Sequence, residues 1–280
     1  MWYDLLTVNK LVPLAIVGIV AVLLVIGIVV KRGGAPPQEE SPLPAVVDTR
    51  PEGTRDRLPV ATDGVSVPPA GAVPVSFGTP KKTAHFESST PEHGATLPAP
   101  PINVTIDFNF DLVSNSAVTI TKDGKEYGKG DTTISANKLS LQRALDQSAP
   151  DGLYIVTYKA CWPDKTCHDG RFEFAIDRTA ASAALDLRGR SHVTVNLKDI
   201  TFRPQAIRIS KGTTVKWQND DDVEHYVNTD AHPSHTYFPP QNSPVLANGA
   251  TYTTTFAAPG AYPYHCSAHA SSMRGMIIVE

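Results

Sequence analysis

Residues 262–275 carry three side chains of metal-binding chemistry in close succession. They are a thiol at Cys266, an imidazole at His269 and a thioether at Met273. Soft sulfur combined with imidazole is the ligand set of a copper ion that exists as both Cu(I) and Cu(II). A second histidine would complete a trigonal site with a weak axial methionine, so the fold must bring a distant residue to this segment. We predict His225 for that role.

The cysteine count supports this assignment. The chain has three cysteines, and an odd number in an extracytoplasmic protein leaves one thiol with another task. A disulfide between Cys161 and Cys167 would leave Cys266 for the metal. The alternative for the first two is a dithiol metal site, but their spacing is wider than the two-residue gap typical of zinc knuckles. The sequence therefore predicts one disulfide and one metal-binding thiol.

Composition limits the fold class and the partners. The chain of 280 residues can form about two domains of roughly 100–150 residues each. Its 24 prolines and 19 glycines favour short strands, turns and linkers over long helices. The net charge of -3 lacks the basic surplus of nucleic-acid-binding proteins, so no nucleic-acid partner is expected.

Residues 11–30 form an apolar run without a charged side chain. As a helix rising ~1.5 Å per residue, the run spans the ~30 Å of a bilayer core. We predict a short tail (1–10) and an uncleaved transmembrane anchor (11–30); the alternative is a long signal peptide. Lys31 and Arg32 follow the run, so the positive-inside rule slightly favours a cytoplasmic location for the domains that come after it. A cysteine pair and a copper thiolate nevertheless suit an oxidising compartment, and we expect a single-pass cell-membrane protein with its soluble domains on that side.

The remainder of the chain divides into a linker and two strand-rich regions. Residues 31–82 are rich in proline and keep no hydrophobic period, which is typical of an extended tether. Side chains alternate as in strands in two regions, 83–178 and 191–280, which a connector at 179–190 joins. Residues 139–145 are the exception, since we predict a turn of helix there. The fold class is therefore all-β, with two antiparallel Greek-key sandwich or barrel domains in tandem.

The second strand-rich region resembles the cupredoxins, the family of plastocyanin and amicyanin. The motifs that carry the resemblance are Phe202-x-Pro204, Gly212-x-x-Val215-x-Trp217-x-Asn219, His225-x-Val227, Gly260-x-Tyr262-x-Tyr264-His265-Cys266-x-x-His269 and Met273-Arg274-Gly275. The resemblance covers about residues 190–280 and implies a Greek-key sandwich with one type 1 copper ion. Its implied ligands are His225, Cys266, His269 and Met273. Met276 competes for the axial position, but it belongs to the final hydrophobic run.

The first strand-rich region resembles the CopC family of extracytoplasmic copper carriers over about residues 83–177. The motifs are residues 88–95, 99–101 and 152–156. The family's copper-binding histidines are absent, because Thr83 and Thr166 stand where they are expected, although Asp164 keeps the carboxylate of the family's Asp-x-His pair. His85, Asp164 and His168 could form a displaced site, since His85 and His168 lie two residues beyond the lost positions. The alternative is that both are ordinary surface histidines.

Three further histidines lie near the predicted copper ligands in sequence. His232 and His235 belong to a long loop and are either solvated loop residues or an accessory or docking site near the copper. His265 directly precedes Cys266, and in copper oxidases and nitrite reductases such a neighbour leads to a second copper. The sequence contains no His-x-His pair to build one, so we predict that His265 is not a ligand.

These features favour an electron carrier over an enzyme. The leading hypothesis is a membrane-anchored blue-copper protein that exchanges electrons with a membrane or extracytoplasmic redox partner. The alternative is a copper-binding, storage or delivery protein for copper homeostasis. A copper oxidase or nitrite reductase would need additional histidines for a catalytic copper.

Overall fold

The computed structural model describes residues 75–280, which form two β-sandwiches in succession. The predicted membrane anchor (11–30) and the predicted linker up to residue 74 lie outside the described residues. Within residues 75–280, no helix is long and apolar enough to cross a membrane. The all-β fold class that the sequence predicts is confirmed.

The first sandwich consists of two sheets. Its strands are β1 (Phe86–Thr90), β2 (Thr96–Leu97), β3 (Asn103–Phe108), β4 (Ala117–Lys122), β5 (Lys125–Glu126), β6 (Gly128–Ile134), β7 (Ser140–Leu145), β8 (Gly152–Cys161) and β9 (Cys167–Ile176). One sheet has the order β1-β3-β7-β6 and the other β2-β9-β8-β4-β5. Alternation places Val118 and Ile120 of β4 in the core, as expected for a half-buried strand.

The prediction of a helical turn at residues 139–145 is wrong, because this segment is strand β7. It lies between β3 and β6 and pairs with both. Leu141 and Leu145 of this strand are buried in the core. Two ladders of backbone hydrogen bonds and this burial outweigh the helical propensity of the short segment.

The second sandwich also has two sheets, joined to the first by a 3-10 helix (Arg178–Ala183). Its strands are β10 (Leu185–Asp186), β11 (His192–Lys198), β12 (Thr201–Arg203), β13 (Ala206–Ile209), β14 (Thr214–Asn219), β15 (Asn228–Thr229), β16 (Thr251–Thr255), β17 (Gly260–His265) and β18 (Arg274–Val279). The sheet orders are β12-β11-β14-β16 and β10-β13-β18-β17-β15. Short 3-10 helices occur at Pro239–Gln241 and Ser267–His269.

Alternation of side chains in the sequence predicted many of the strands but not their pairings. Most pairs are antiparallel, yet β2 with β9, β10 with β13, β11 with β14 and β13 with β18 are parallel. The parallel pairs join strands that are not consecutive in the chain, and their connections pass between sheets. Local hydrophobic pattern carries no information about such pairings.

The two sandwiches pack directly against each other. Ala261 and Ile278 of the second sandwich are buried in the core of the first, while Ile102 packs against the core of the second. The buried hydroxyl of Tyr237 accepts from the Ile102 amide at 2.8 Å and donates to the Ala261 carbonyl at 2.6 Å. Both sandwiches belong to one compact unit of the chain.

Candidate metal centre

The loop after β17 is closed by backbone hydrogen bonds that position Cys266, His269 and Met273. The 3-10 helix Ser267–His269 begins directly after Cys266. The His269 amide donates to the Cys266 carbonyl at 2.9 Å, and the Met273 amide donates to the His269 carbonyl at 2.9 Å. The Cys266 amide completes the loop by donating to the Met273 carbonyl at 3.0 Å. The loop therefore fixes these residues with little freedom.

His225 reaches this loop from a separate segment of the chain, between β14 and β15. Its amide and carbonyl exchange hydrogen bonds with Leu246 at 3.0 and 2.8 Å. The buried side-chain amide of Asn219, at the end of β14, donates to the carbonyls of Val223 and Leu246, both at 2.8 Å. A polar side chain thus holds the loop before His225 where no regular ladder exists.

The ligand atoms of His225, Cys266 and His269 lie within 4.8 Å of one another. The Cys266 Sγ atom is 3.5 Å from His225 Nδ1 and 3.6 Å from His269 Nδ1. Bonds of roughly 2.3 Å to sulfur and about 2.0 Å to nitrogen place such ligand atoms about 3.5–3.8 Å apart on one ion. The three atoms therefore fit a single metal ion.

A carboxylate orients the buried imidazole of His225. His225 Nε2 is 2.8 Å from Asp221 Oδ2, so in the neutral ring Nε2 donates and Nδ1 presents its lone pair to the thiol. Asp221 also accepts from the amides of Asp199 and Ile200 at 2.7 and 2.9 Å. Burial alone raises the pKa of Asp221, but these amides and His225 outweigh it and lower that pKa to about 2.

The surroundings of the thiol distinguish the two candidate methionines. Cys266 is fully buried, and the Tyr226 amide donates to its Sγ atom at 3.3 Å. Met273 is buried in the same hydrophobic cluster as Cys266. Met276, in strand β18, packs instead against the core of the first sandwich. This division favours Met273 for the axial position.

One ligand candidate reaches the molecular surface. His269 is half-buried, whereas His225 and Cys266 are buried. Ala268 beside it is exposed and Ala270 is partly exposed. Among these three residues, the centre is therefore accessible to solvent only through the imidazole of His269.

A second group of imidazoles lies on the other side of Cys266. The ligand nitrogens of His232, His235 and His265 lie within 4.8 Å of one another. His235 Nε2 is 3.2 Å from His265 Nε2 and 3.1 Å from the hydroxyl of Ser267. His265 is buried, His235 half-buried and His232 exposed. Burial and the two neighbouring imidazoles lower the pKa of His235 to about 4.

Sequence reasoning missed the carboxylates that orient these rings. His265 Nδ1 is 2.6 Å from Oδ1 of the buried Asp230, just as Asp221 contacts His225. Asp221 stands between two other aspartates, Asp220 and Asp222, and nothing in the sequence singles it out. Asp230 lies far from His265 in the chain. Only the fold shows which acidic groups contact the imidazoles.

The histidines of the first sandwich do not form a comparable group. His85 is exposed, stacks on Phe110 with ring centroids 4.9 Å apart and contacts the Asn109 side chain at 3.0 Å. Asp164 accepts from the amide and hydroxyl of Thr166 at 2.9 and 2.7 Å. Among the described residues, His85, Asp164 and His168 therefore do not converge. Cys161 and Cys167 form the predicted disulfide at the end of the β8–β9 hairpin.

Comparisons with known protein families match both halves of the described chain. The model of copper binding proteins of the plastocyanin/azurin family matches residues 190–280. The CopC domain model matches residues 86–177. The chain is 31% identical over 111 residues to amicyanin-alpha from Methylorubrum extorquens, an alignment that covers 38% of this chain and 91% of the relative.

Solved structures with similarity to the chain include a reduced amicyanin mutant and a purple cupredoxin from Nitrosopumilus maritimus. The amicyanin is 26% identical and the match covers 32% of this chain and 82% of that one, with a TM-score of 0.28. The purple cupredoxin is 28% identical and the match covers 31% of this chain and 99% of that one, with a TM-score of 0.28.

Proposed function

Because the chain belongs to the plastocyanin/azurin family of copper-binding proteins, we propose that its C-terminal sandwich carries single electrons. The cofactor of this family is one type 1 copper ion. The ligands that we propose are His225, Cys266, His269 and Met273. The observation that carries the proposal is a buried thiol faced by two imidazole nitrogens at 3.5 and 3.6 Å.

The residues around the thiol suit this task. A copper ion bound there would alternate between Cu(I) and Cu(II) and so hold one electron at a time. The ligands come from two separate elements that are each braced by backbone hydrogen bonds, so their positions change little when the charge changes. Burial of Cys266 excludes water from its sulfur, and the hydrogen bond from the Tyr226 amide adjusts the donor strength of that sulfur toward a metal.

The half-buried His269 provides the route by which an electron would enter and leave. Its ring contacts the thiol at 3.6 Å, and the exposed Ala268 leaves a small apolar surface beside it. A redox partner protein could dock on this surface and approach the imidazole edge closely. We propose that the partner is membrane-bound or extracytoplasmic, because the CopC domain and the disulfide fit an oxidising compartment.

Replacement of the thiol tests the proposal. Wild-type protein loaded with Cu(II) should show intense visible absorption from the bond between the Cys266 thiolate and copper. The variant Cys266→Ala should lose this band, whereas His192→Ala, which removes an exposed imidazole on β11, should keep it. A copper-loaded wild-type protein without visible colour would contradict the proposal.

The second candidate function is copper storage or delivery, which the CopC domain favours. The absence of the family's ligands at Thr83 and Thr166 counts against transport by this domain. Stopped-flow reduction of the Cu(II) protein and copper transfer to an apo acceptor, measured under the same conditions, separate the two. An electron carrier exchanges electrons reversibly and retains its copper, while a delivery protein loses copper to the acceptor.

A further inference from the structure

We propose that His232, His235 and His265 bind a second copper ion in this protein. Three imidazoles with converging nitrogens form a binding site of moderate softness, which suits Cu(II) and Zn(II) best. Copper binds such nitrogen ligands more tightly than the other divalent first-row metals. A site of three protein ligands also leaves room for water or another small ligand on the ion.

The spacing of the imidazoles fits one ion. Two nitrogens bound to the same metal at about 2.0–2.1 Å lie roughly 3.3 Å apart at tetrahedral angles. The Nε2 atoms of His235 and His265 are 3.2 Å apart, and all three ligand nitrogens lie within 4.8 Å of one another. The cluster therefore needs only a small adjustment of the exposed His232 to surround an ion.

The contact with Asp230 sets the ring of His265 for metal binding. A carboxylate only accepts, so Nδ1 of the neutral imidazole donates to Asp230 and Nε2 presents a lone pair to His235. His225, a proposed ligand of the thiolate site, also has a carboxylate behind it, but on the other ring nitrogen: its Nε2 contacts Asp221 and its Nδ1 faces the thiol. A carboxylate behind a ligating imidazole is a recurrent feature of protein metal sites.

The first sandwich clamps the loop that carries His232 and His235. The buried carboxylate of Asp107, in β3, accepts from Ser234 Oγ and Thr236 Oγ1, both at 2.7 Å. Loop residues from one domain are thus fixed by a charged side chain of the other. These hydrogen bonds hold the two loop imidazoles against His265. They lower the entropic cost of ordering the loop when a metal binds.

An ion can reach the cluster from the cavity at the domain interface. The cavity has a volume of about 400 Å³, and His232 and Ala231 line it together with Ser88 and Glu92 of the first sandwich. His232 is exposed, whereas His265 is buried behind it. The cluster thus has an entry path and a closed inner wall, as a metal site requires.

Copper stoichiometry tests the assignment. The wild-type protein should bind two copper ions per chain, and the double variant His232→Ala/His235→Ala should bind one while keeping the visible band of the thiolate site. The control variants His192→Ala and His85→Ala/His168→Ala should still bind two. A wild-type protein that binds one copper, or a double variant that binds as many as wild type, would overturn the proposal. Loss of the second ion in the His85→Ala/His168→Ala variant would also overturn it, by placing that ion in the first sandwich.

Electron paramagnetic resonance separates this proposal from the proposed function. The Cys266→Ala variant should retain a Cu(II) signal with nitrogen hyperfine structure, and Zn(II) added first should not prevent copper from taking the site. In wild-type protein loaded with two Cu(II) ions, magnetic coupling should broaden both signals, because His265 and Cys266 are adjacent residues. Two unbroadened signals, or a cluster that binds Zn(II) but never Cu(II), would refute the second copper site. A missing visible band with an intact second signal would refute the electron-carrier function alone.

Discussion

Aspartate carboxylates accept hydrogen bonds from two buried imidazoles. Asp221 contacts Nε2 of His225 at 2.8 Å, and Asp230 contacts Nδ1 of His265 at 2.6 Å. In both pairs the imidazole is buried, so the carboxylate decides which nitrogen carries the hydrogen and how the ring is turned. The free nitrogen of His225 faces Cys266. Side chains that never touch a metal thus determine whether these histidines can bind one.

Removal of the carboxylate behind His225 should weaken copper binding at the thiolate site. The variant Asp221→Ala leaves Nε2 of His225 without an acceptor and frees the ring to turn. We expect copper affinity to fall by about 10–100-fold, the usual effect of losing such a partner. Competition titration with a chelator measures the change. The exposed neighbour provides a control, and an Asp222→Ala variant with an equal loss would show that net charge matters rather than the contact.

The axial methionine should tune the reduction potential of the thiolate site. Replacement of Met273 by leucine keeps the volume of a buried side chain and should cost less than about 1.5 kcal/mol of stability. It removes the weak axial ligand, and because Cu(I) accepts fewer ligands than Cu(II), the remaining three ligands favour Cu(I), so the potential should rise while the visible band remains. Redox titration of Met273→Leu and of the control Met276→Leu measures this. A rise in the Met276→Leu variant alone would assign the axial position to Met276.

Strand β17 separates the two groups of imidazoles. Successive residues of an extended chain point to opposite faces. Cys266 therefore enters the core of the second sandwich, whereas His265 faces the loop of residues 230–238 and the first sandwich. The end of β17 supplies His265 to the histidine cluster and Cys266 to the thiolate site, because its backbone stays extended through Cys266.

The start of β17 also requires glycine, because the domains meet there. Gly260 has a φ of 141°, and a Cβ atom at this position would lie 2.7 Å from Ile102 Cγ2 and 3.1 Å from the Pro100 carbonyl oxygen. The substitution Gly260→Ala should lower the free energy of unfolding by about 3 kcal/mol or more, from backbone strain and steric overlap together.

Thermal and urea unfolding measure this effect against a matched glycine. Gly249 has a φ of 77°, and an added Cβ would meet no atom within 4 Å. Gly249→Ala should therefore show the backbone penalty alone, about 1–2 kcal/mol. Equal losses for Gly249→Ala and Gly260→Ala would show that the domains do not press together at Gly260 in solution.

Among the described residues, the first sandwich contacts and positions loop residues of the second. It has the CopC fold outline, yet its histidines do not converge among the described residues. Its contribution lies at the interface, where Asp107 holds the loop of His232 and His235 and where Ile102 meets Tyr237. The first sandwich lacks its family's copper-binding histidines, but it can still contribute to metal binding by positioning residues of the second sandwich.

Loosening of the domain clamp should affect the second copper ion alone. The double variant Ser234→Ala/Thr236→Val removes both loop hydroxyls that donate to Asp107 and leaves the size of the side chains nearly unchanged. We expect weaker copper binding at the histidine cluster, since the loop must then be ordered on binding, and an unchanged visible band. Isothermal titration calorimetry gives the affinity. Equal affinity for both proteins would show that the clamp plays no part in binding.

The sequence predicted much of this arrangement from local patterns. Side-chain alternation predicted many of the strands of both sandwiches, and the motif around Cys266 indicated the family that the comparisons confirm. The disulfide followed from a count of cysteines. The thiolate ligands remain a prediction with which the distances agree. The helical turn at residues 139–145 was wrong because pairing with two strands outweighs local propensity.

The sequence by itself determined the ligand chemistry near Cys266 and the all-β class, because both depend on residue type and short-range period. Only the tertiary structure decided which distant groups meet. The absence of a His-x-His pair argued against a role for His265, yet a loop from elsewhere in the second sandwich brings His232 and His235 to it. Asp230 contacts His265, and Asp107 contacts the loop of His232 and His235, only because segments distant in sequence pack together, and no local pattern encodes that packing.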